Sequence, residues 1–139
     1  MSRKTLIAFA FAAVAAAPFA QAGTLNITFD NIAEQTGEIR LGVYDAAGYD
    51  NGDSLTGADV TVDGATVTVS IDGLAPGEYG LKIYHDVDGN GEMRTNPFGM
   101  PTEPYAFSNN AKGRFGPPSW DAAKFEVTED GADQTISIN

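Results

Sequence analysis

Apolar and polar residues alternate along most of the chain after residue 22, which is the pattern of β-strands that bury one face. Four runs show the alternation most clearly, at residues 25–29, 39–43, 67–71 and 79–85. Shorter runs bring the count to about seven, and no stretch after residue 22 keeps a helical period. The pattern predicts an all-β fold, an antiparallel two-layer β-sandwich of about seven strands.

One turn signal stands out within this pattern. The dipeptide Asp63-Gly64 separates two β-branched runs, Val60–Val62 and Val67–Ile71. Asp-Gly suits the positive φ angles of a type I′ turn. We therefore expect these two runs to pair as a hairpin.

Residues 1–22 have the three parts of a secretory signal peptide. Arg3 and Lys4 give a positive start, residues 6–17 are apolar, and Ala20-Gln21-Ala22 has the small-x-small cleavage pattern. The apolar run is too short for a membrane span, which needs about 20 residues. We expect cleavage after Ala22, export to the periplasm or the extracellular space, no membrane span in the exported chain, and a single domain over residues 23–139.

Charge narrows the possible partners of the exported chain. Without Arg3 and Lys4, six basic residues stand against nineteen acidic ones, a formal charge of −13. Such a field repels phosphate backbones, so nucleic acid is not an expected partner. The chain has one histidine and no cysteine, which disfavours a zinc site because zinc needs three or four nitrogen or sulfur ligands.

Residues 86–121 break the alternation and show neither a strand nor a helix period. Structureless loops of this length are uncommon in compact domains unless they are functional or disordered. This segment is rich in aromatic residues and prolines, whereas disordered segments are poor in aromatic residues. We expect one long ordered loop that folds onto the sandwich.

The loop begins with the front half of a calcium-binding motif. Asp86, Asp88 and Asn90 occupy positions 1, 3 and 5 of D-x-D-x-N-G, and Gly91 occupies position 6. Alternate oxygens can then point at one ion, the glycine permits the sharp turn, and the carbonyl of Glu92 can add a ligand. The motif predicts a structural Ca²⁺ site.

The back half of the motif departs from the EF-hand pattern. Arg94 stands at position 9 and Pro97 at position 12, where a bidentate glutamate is expected. A ligand from elsewhere would have to complete the site, with Glu103 first and Asn96 or Asp121 behind it. The alternative is an Asx-rich turn in which the same side chains bond backbone N–H groups without an ion.

His85 precedes the motif and lies on the apolar face of its strand, next to a dense set of carboxylates. A half-buried histidine that pins the loop is the simpler interpretation. General acid–base catalysis by His85 with Glu103 is the alternative.

Polar and aromatic residues further along the loop have two interpretations as well. Ser108, Asn109 and Asn110 could bond a sugar or peptide in a cleft, or they could satisfy loop carbonyls and left-handed turns. Rings have the same ambiguity, because they can stack on a ligand or pack beneath a loop. The rings concerned are Tyr105, Phe107 and Trp120.

Two resemblances rest on longer strings. The turn Leu74-Ala75-Pro76-Gly77 with the strand after it resembles transthyretin-like and Cna-B-like sandwiches. Nearly the whole exported chain resembles an exported bacterial family catalogued only as a domain of unknown function. The shared strings are H-D-x-D-x-N-G, G-x-P-x-E, F-S-N-N-A and G-P-P. The resemblance implies a fold and a site location, and no reaction.

Three functions compete on this basis. The first is a non-enzymatic exported module whose Ca²⁺-ordered loop presents a surface to a protein, a peptide or a glycan. A small extracytoplasmic enzyme with a His85/Glu103 pair in a cleft under the loop is the second. A structural subunit of a surface assembly is the third.

Overall fold

A computed structural model describes residues 22–93, 95–114 and 116–138. Apart from Ala22, the predicted signal peptide lies outside these residues. Within the described residues, no helix is both long enough and apolar enough to cross a lipid bilayer.

The described residues form eight strands, which divide into two sheets. The strands are β1 (Gly23–Asp30), β2 (Glu38–Tyr44), β3 (Thr56–Thr61), β4 (Val67–Leu74), β5 (Gly77–Asp86), β6 (Tyr105–Phe107), β7 (Phe125–Val127) and β8 (Ala132–Ser137). One sheet has the order β4-β1-β8, and the other has the order β3-β2-β5-β6 with β7 also paired to β5. All these pairs are antiparallel except the parallel pair β1–β8.

The core lies between the two sheets, where the apolar positions of the alternating strands meet. Leu25, Ile27 and Phe29 of β1 are fully buried, and Leu41 lies opposite Ile83 in the β2–β5 register. Strands β1, β2 and β5 contribute every second residue to this core, as the sequence pattern indicates. The predicted all-β, sandwich-like fold is confirmed.

The predicted hairpin at Asp63-Gly64 is wrong. β3 pairs with β2 and β4 pairs with β1, so the strands on either side of the turn belong to different sheets. Val62 is buried, and its N–H donates to the carbonyl of Gly37 at 3.0 Å. The turn therefore crosses the edge of the sandwich, because Val62 and Val67 must both enter the shared core.

The long segment after β5 contains more regular structure than its sequence suggests. It includes β6, a 3₁₀ turn at Ser108–Asn110, and the start of the short helix α2 (Trp120–Ala123). The other short helix, α1 (Ala46–Tyr49), follows β2. Pairing of β6 with β5 holds the segment across the outer face of the five-stranded sheet, which is the face turned away from the core.

Candidate functional site

Asp86 ends β5 and organises the turn that follows it. Its Oδ2 accepts a hydrogen bond from the Gly91 N–H at 2.7 Å, and its Oδ1 accepts one from the Asn90 N–H at 3.2 Å. Gly89 and Gly91 have φ angles of 68° and 82°, which favour glycine. The chain consequently wraps around a fully buried carboxylate.

Three carboxylates converge at this turn. Oxygens of Asp86, Asp88 and Glu103 all lie within 4.8 Å of one another. Glu103 is almost fully buried, and its Oε2 accepts a hydrogen bond from the Val87 N–H at 2.7 Å. The fold thus brings the first predicted outside ligand to the front half of the motif, and we name these three residues the carboxylate cluster.

The other side chains predicted as ligands, those of Asn90, Asn96 and Asp121, are not part of the carboxylate cluster. Asn90 directs its Oδ1 to the Glu92 N–H at 2.9 Å, and its Nδ2 lies 3.4 Å from Asp88 Oδ2. Asn96 caps its own turn by accepting bonds from the Phe98 and Met100 N–H groups. Asp121 lies on α2, exposed and 3.7 Å from Lys124.

Arg40 is a member of the site that sequence reasoning missed. Its Nε donates to Asp86 at 2.9 Å, while its two other nitrogens lie 3.0 Å from Asp59 and Glu38. The register places Arg40 on β2 opposite Tyr84, two residues before Asp86 on β5, so Arg40 and Asp86 lie on the same face of the sheet. Alternation in the sequence marks Arg40 as facing away from the core, but only the register reveals which carboxylates it meets.

Hydrogen bonding keeps Asp86 ionised despite its burial. Burial raises the pKa of Asp86, but hydrogen bonds from Arg40 and the Gly91 N–H, with contributions from Asp88 and the Asn90 N–H, bring the pKa below its ordinary value. Asp86 is therefore deprotonated at neutral pH, which is the state in which a carboxylate can bind a metal ion. It already accepts hydrogen bonds from Arg40, Asn90 and Gly91 and also interacts with Asp88.

His85 faces the core and is 1% exposed. Its Nε2 lies 2.7 Å from the carbonyl oxygen of Thr36. One cavity lies on the outer face of the five-stranded sheet and a smaller one adjoins it, and neither His85 nor Glu103 lines them. Gly37, which follows Thr36, has a φ of 71°. A Cβ at Gly37 would lie 2.0 Å from the carbonyl oxygen of Asp86, so the turn before β2 packs closely against the end of β5. The geometry matches a histidine that pins the turn between β1 and β2 at Thr36.

Ser108 is buried and joins three elements. Its Oγ accepts a hydrogen bond from the Leu81 N–H at 2.9 Å and donates to the carbonyl of Ala123. This arrangement connects β5, the 3₁₀ turn and α2. The hydroxyl therefore has a structural role.

The two asparagines that follow connect the two sheets. Asn109 and Asn110 have φ angles of 61° and 52°, in the left-handed region. Asn109 exchanges two hydrogen bonds with the Gln134 side chain, and Asn110 accepts from the Ser137 N–H at 2.9 Å. Both amides are used inside the protein, as the structural interpretation of Ser108-Asn109-Asn110 expects.

An open groove of about 880 Å³ lies on the outer face of the five-stranded sheet, and we name it the outer groove. Strands β2, β5 and β6 line it with Arg40, Leu41, Gly42, Tyr44, Lys82, Ile83, Tyr84, Tyr105 and Phe107. The long segment after β5 adds Met93, Gly99, Met100, Pro101, Gly113, Gly116 and Pro117, and Ser54 completes the lining. A smaller cavity of about 390 Å³ adjoins it and shares Tyr105, Phe107 and Gly113.

The three predicted ligand-binding rings divide between packing and exposure. Trp120 is half-buried and packs edge-on against Tyr49, with 5.5 Å between ring centroids. Tyr105 and Phe107 form a second edge-on pair at 6.0 Å in the outer groove, and Tyr105 is 51% exposed. Of the three rings, Tyr105 is therefore the one that a ligand could reach most readily, because Phe107 is 8% exposed and lies beside it.

Two contacts join the outer groove to the carboxylate cluster. Arg40 lines the groove and bonds Asp86, while Tyr84 lines the groove and donates its hydroxyl hydrogen to the Gly91 carbonyl at 3.1 Å. Met93, just after the turn, is also part of the lining. The conformation of the turn consequently affects the shape of the groove.

Comparison with known proteins identifies a family for this chain. A family model described as "Uncharacterized protein conserved in bacteria (DUF2141)" matches residues 27–136. Comparison with curated proteins and with solved structures gave no match.

Proposed function

Because the chain belongs to this uncharacterised bacterial family, whose description assigns no activity, we propose a function from the site itself. The protein is an exported, non-enzymatic binding module. A Ca²⁺ ion held by Asp86, Asp88 and Glu103 orders the turn after β5, and the turn shapes the outer groove for a ligand.

One observation is the main support for the proposed ion. Glu103 lies far from the D-x-D-x-N-G motif in sequence, yet its carboxylate oxygen lies within 4.8 Å of those of Asp86 and Asp88. A hard divalent cation such as Ca²⁺ prefers oxygen ligands, and three carboxylates at this separation offer it three of them. Arg40 contacts Asp86, and the cation would add to that contact.

Export would place the site where Ca²⁺ is plentiful. The predicted signal peptide directs the chain to a compartment where millimolar Ca²⁺ is available, and extracellular modules bind Ca²⁺ with dissociation constants of about 0.1–1 mM. A site with three carboxylates and additional backbone oxygens suits that range. The ion would then hold the long segment after β5 in one conformation, since this segment has few strands of its own.

Binding is the task that the groove supports best. Its three tyrosines are partly exposed, and His85 does not line it, so the groove offers contact surface without the His85/Glu103 pair. Ligand sites generally combine an apolar lining with a few polar groups. The outer groove has that composition, with Arg40 and Lys82 among its aromatic and methionine side chains.

Thermal melting of residues 23–139 tests the ion. About 10 mM Ca²⁺ should raise the melting temperature by about 5–10 °C over the value in chelator, given a dissociation constant of about 0.1–1 mM. Asp88→Ala should abolish the difference, because Asp88 is exposed and contributes to the cluster without supporting the core. Asp121→Ala removes an exposed carboxylate on α2 and should leave the difference intact. Identical melts of the unsubstituted protein with Ca²⁺ and with chelator would refute the ion.

A further inference from the structure

The lining of the outer groove and of its adjoining cavity has a charge opposite to that of the whole protein. Arg40 and Lys82 line the groove and Lys112 lines the cavity, whereas no aspartate or glutamate lines either one. The full chain has nineteen acidic residues against eight basic ones. An even distribution of charge would place acidic residues in these two linings, so this surface differs from the rest of the protein.

Two of these cations lack a carboxylate partner. Arg40 is compensated by three carboxylates, but Lys82 and Lys112 form no ion pair with any residue in the described ranges. The Lys82 ammonium bonds the Tyr49 carbonyl and lies 4.8 Å from the Tyr44 ring centroid. A partly enclosed lysine between rings attracts an anion more strongly than a fully solvated one, because the local dielectric is lower.

The aromatic part of the groove suits a ligand with flat apolar faces. Gly42 leaves space for the Tyr44 ring, since a Cβ at this position would meet that ring at 2.8 Å. Tyr105 adds a ring that is 51% exposed, and the buried Phe107 ring packs edge-on against it. Tyrosine faces can pack against the C–H faces of a sugar ring while their hydroxyl groups bond its oxygens.

We propose that the outer groove binds an acidic glycan, a short run of uronic-acid sugars whose rings pack on Tyr44 and Tyr105 and whose carboxylates pair with Lys82 and Lys112. This proposal rests on the binding function proposed above and specifies its ligand. A volume of about 880 Å³ falls within the usual range of small-ligand sites, so it fits a few sugar units.

An acidic peptide fits this surface less well. Extended peptides commonly gain affinity by adding a strand to a free sheet edge. The floor of the groove is a sheet face, where the backbone groups of β2, β5 and β6 already pair with one another. Recognition there must come from rings and cationic side chains, which favours a sugar chain.

Calorimetric titration of residues 23–139 tests the proposal. The probes are tetragalacturonate, tetraguluronate and a hyaluronan tetrasaccharide, with methyl-esterified tetragalacturonate as the uncharged control and tetraglutamate as the acidic peptide. At least one uronate should bind with a dissociation constant below about 1 mM.

Substitutions then locate the binding surface. Lys82 also holds the carbonyl of Tyr49, so the exposed residues Lys112 and Tyr105 are better positions for variants. Lys112→Gln should weaken uronate binding about fivefold and Tyr105→Ala about tenfold, as expected for one surface ion pair and one stacked ring. Lys124→Gln is the matched control, because Lys124 pairs with Glu78 and Asp121 and lines neither cavity, so it should bind like the unsubstituted protein.

The outcomes separate this proposal from the proposed ion. Each titration is run with Ca²⁺ and with chelator, and uronate binding in either condition supports the glycan whatever the melting experiment gives. Failure of every uronate to bind in both conditions would overturn the proposal. Tetraglutamate binding as tightly as the best uronate, with no effect of Tyr105→Ala, would overturn it in favour of an acidic peptide.

Discussion

The Nε of Arg40 lies 2.9 Å from Oδ2 of the fully buried Asp86, and this contact joins the outer groove to the carboxylate cluster. Arg40 lines the groove, whereas Asp86 organises the turn after β5. The protein therefore has its own partial counter-charge for the cluster. A bound cation would add to Arg40 rather than replace it.

Removal of Arg40 tests how much the cluster depends on this counter-charge. Arg40→Met should lower the melting temperature clearly more than Asp59→Asn, because it leaves a buried anion without its cation. Asp86→Asn in the same chain should recover part of the loss, since it removes the uncompensated charge. Under the proposed function, Ca²⁺ should also raise the melting temperature of Arg40→Met more than that of the unsubstituted protein. Equal melting of Arg40→Met and Asp59→Asn would contradict this role of Arg40.

Ser108 should matter for stability rather than for binding. Ser108→Ala leaves the buried N–H of Leu81 without its acceptor, which should cost about 1–3 kcal/mol of unfolding free energy. Ser70→Ala removes an exposed hydroxyl on β4 and should change the unfolding free energy by only about 0.5 kcal/mol. Urea denaturation measures both, and similar costs for the two variants would show that the buried hydroxyl is dispensable.

Tyr49 should make the protein sensitive to alkaline pH. Burial, with a smaller effect of Asp50, raises the pKa of Tyr49 above its ordinary value of 10.0. The folded state therefore holds this proton more tightly than the unfolded state, so the stabilisation is complete below the unfolded pKa and is lost as pH rises through the folded pKa.

Urea denaturation at a series of pH values from about 8 to 11 measures this effect, because the range spans the ordinary tyrosine pKa. Tyr49→Phe should be less stable near neutral pH, because it loses the bond to the Pro118 carbonyl, but its unfolding free energy should fall less steeply at alkaline pH. Tyr105→Phe, which removes an exposed phenol, serves as the control. An equally steep fall in the unsubstituted protein and in Tyr49→Phe would rule out this contribution.

The signal peptide can be tested at its cleavage site. Intact-mass spectrometry of the exported protein should give a chain that begins at Gly23, and Ala22→Arg should block cleavage by removing a small residue from the small-x-small pattern. Gly23 is the first residue of β1, where a Cβ would meet the Thr128 carbonyl at 2.2 Å. Cleavage after Ala22 would consequently leave β1 intact. A mass corresponding to the uncleaved chain would contradict the signal assignment.

Much of the fold could be predicted because alternation depends on burial alone. The apolar faces of β1, β2 and β5 follow directly from residues 25–29, 39–43 and 79–85. The crossing at Asp63-Gly64 could not be predicted, because turn chemistry gives a local reversal and does not specify which sheet receives the next strand. Strand β6 has only three residues, too few for a period to be visible.

The candidate site could be predicted in part. The D-x-D-x-N-G spacing predicts Asp86 and Asp88 as ligands, and the missing back half of the motif makes Glu103 the first of three candidates for a further one. The structure brings these three carboxylates together, and their binding of an ion stays a prediction. Arg40 was missed because its contact with Asp86 depends on the β2–β5 register, for which a single sequence has no signal. The outer groove was missed for the same reason, since Tyr84 and Tyr105 become neighbours only when β6 pairs with β5.

The central claim is that Asp86, Asp88 and Glu103 hold a calcium ion, and anomalous diffraction tests it most directly. Crystals of residues 23–139 grown with Ca²⁺ should show one anomalous peak among these three carboxylates, with ion-to-oxygen distances of about 2.3–2.6 Å. The same crystals of Asp88→Ala should lack the peak. No anomalous peak at the cluster in the unsubstituted protein, with Arg40 still bonded to Asp86, would contradict the claim.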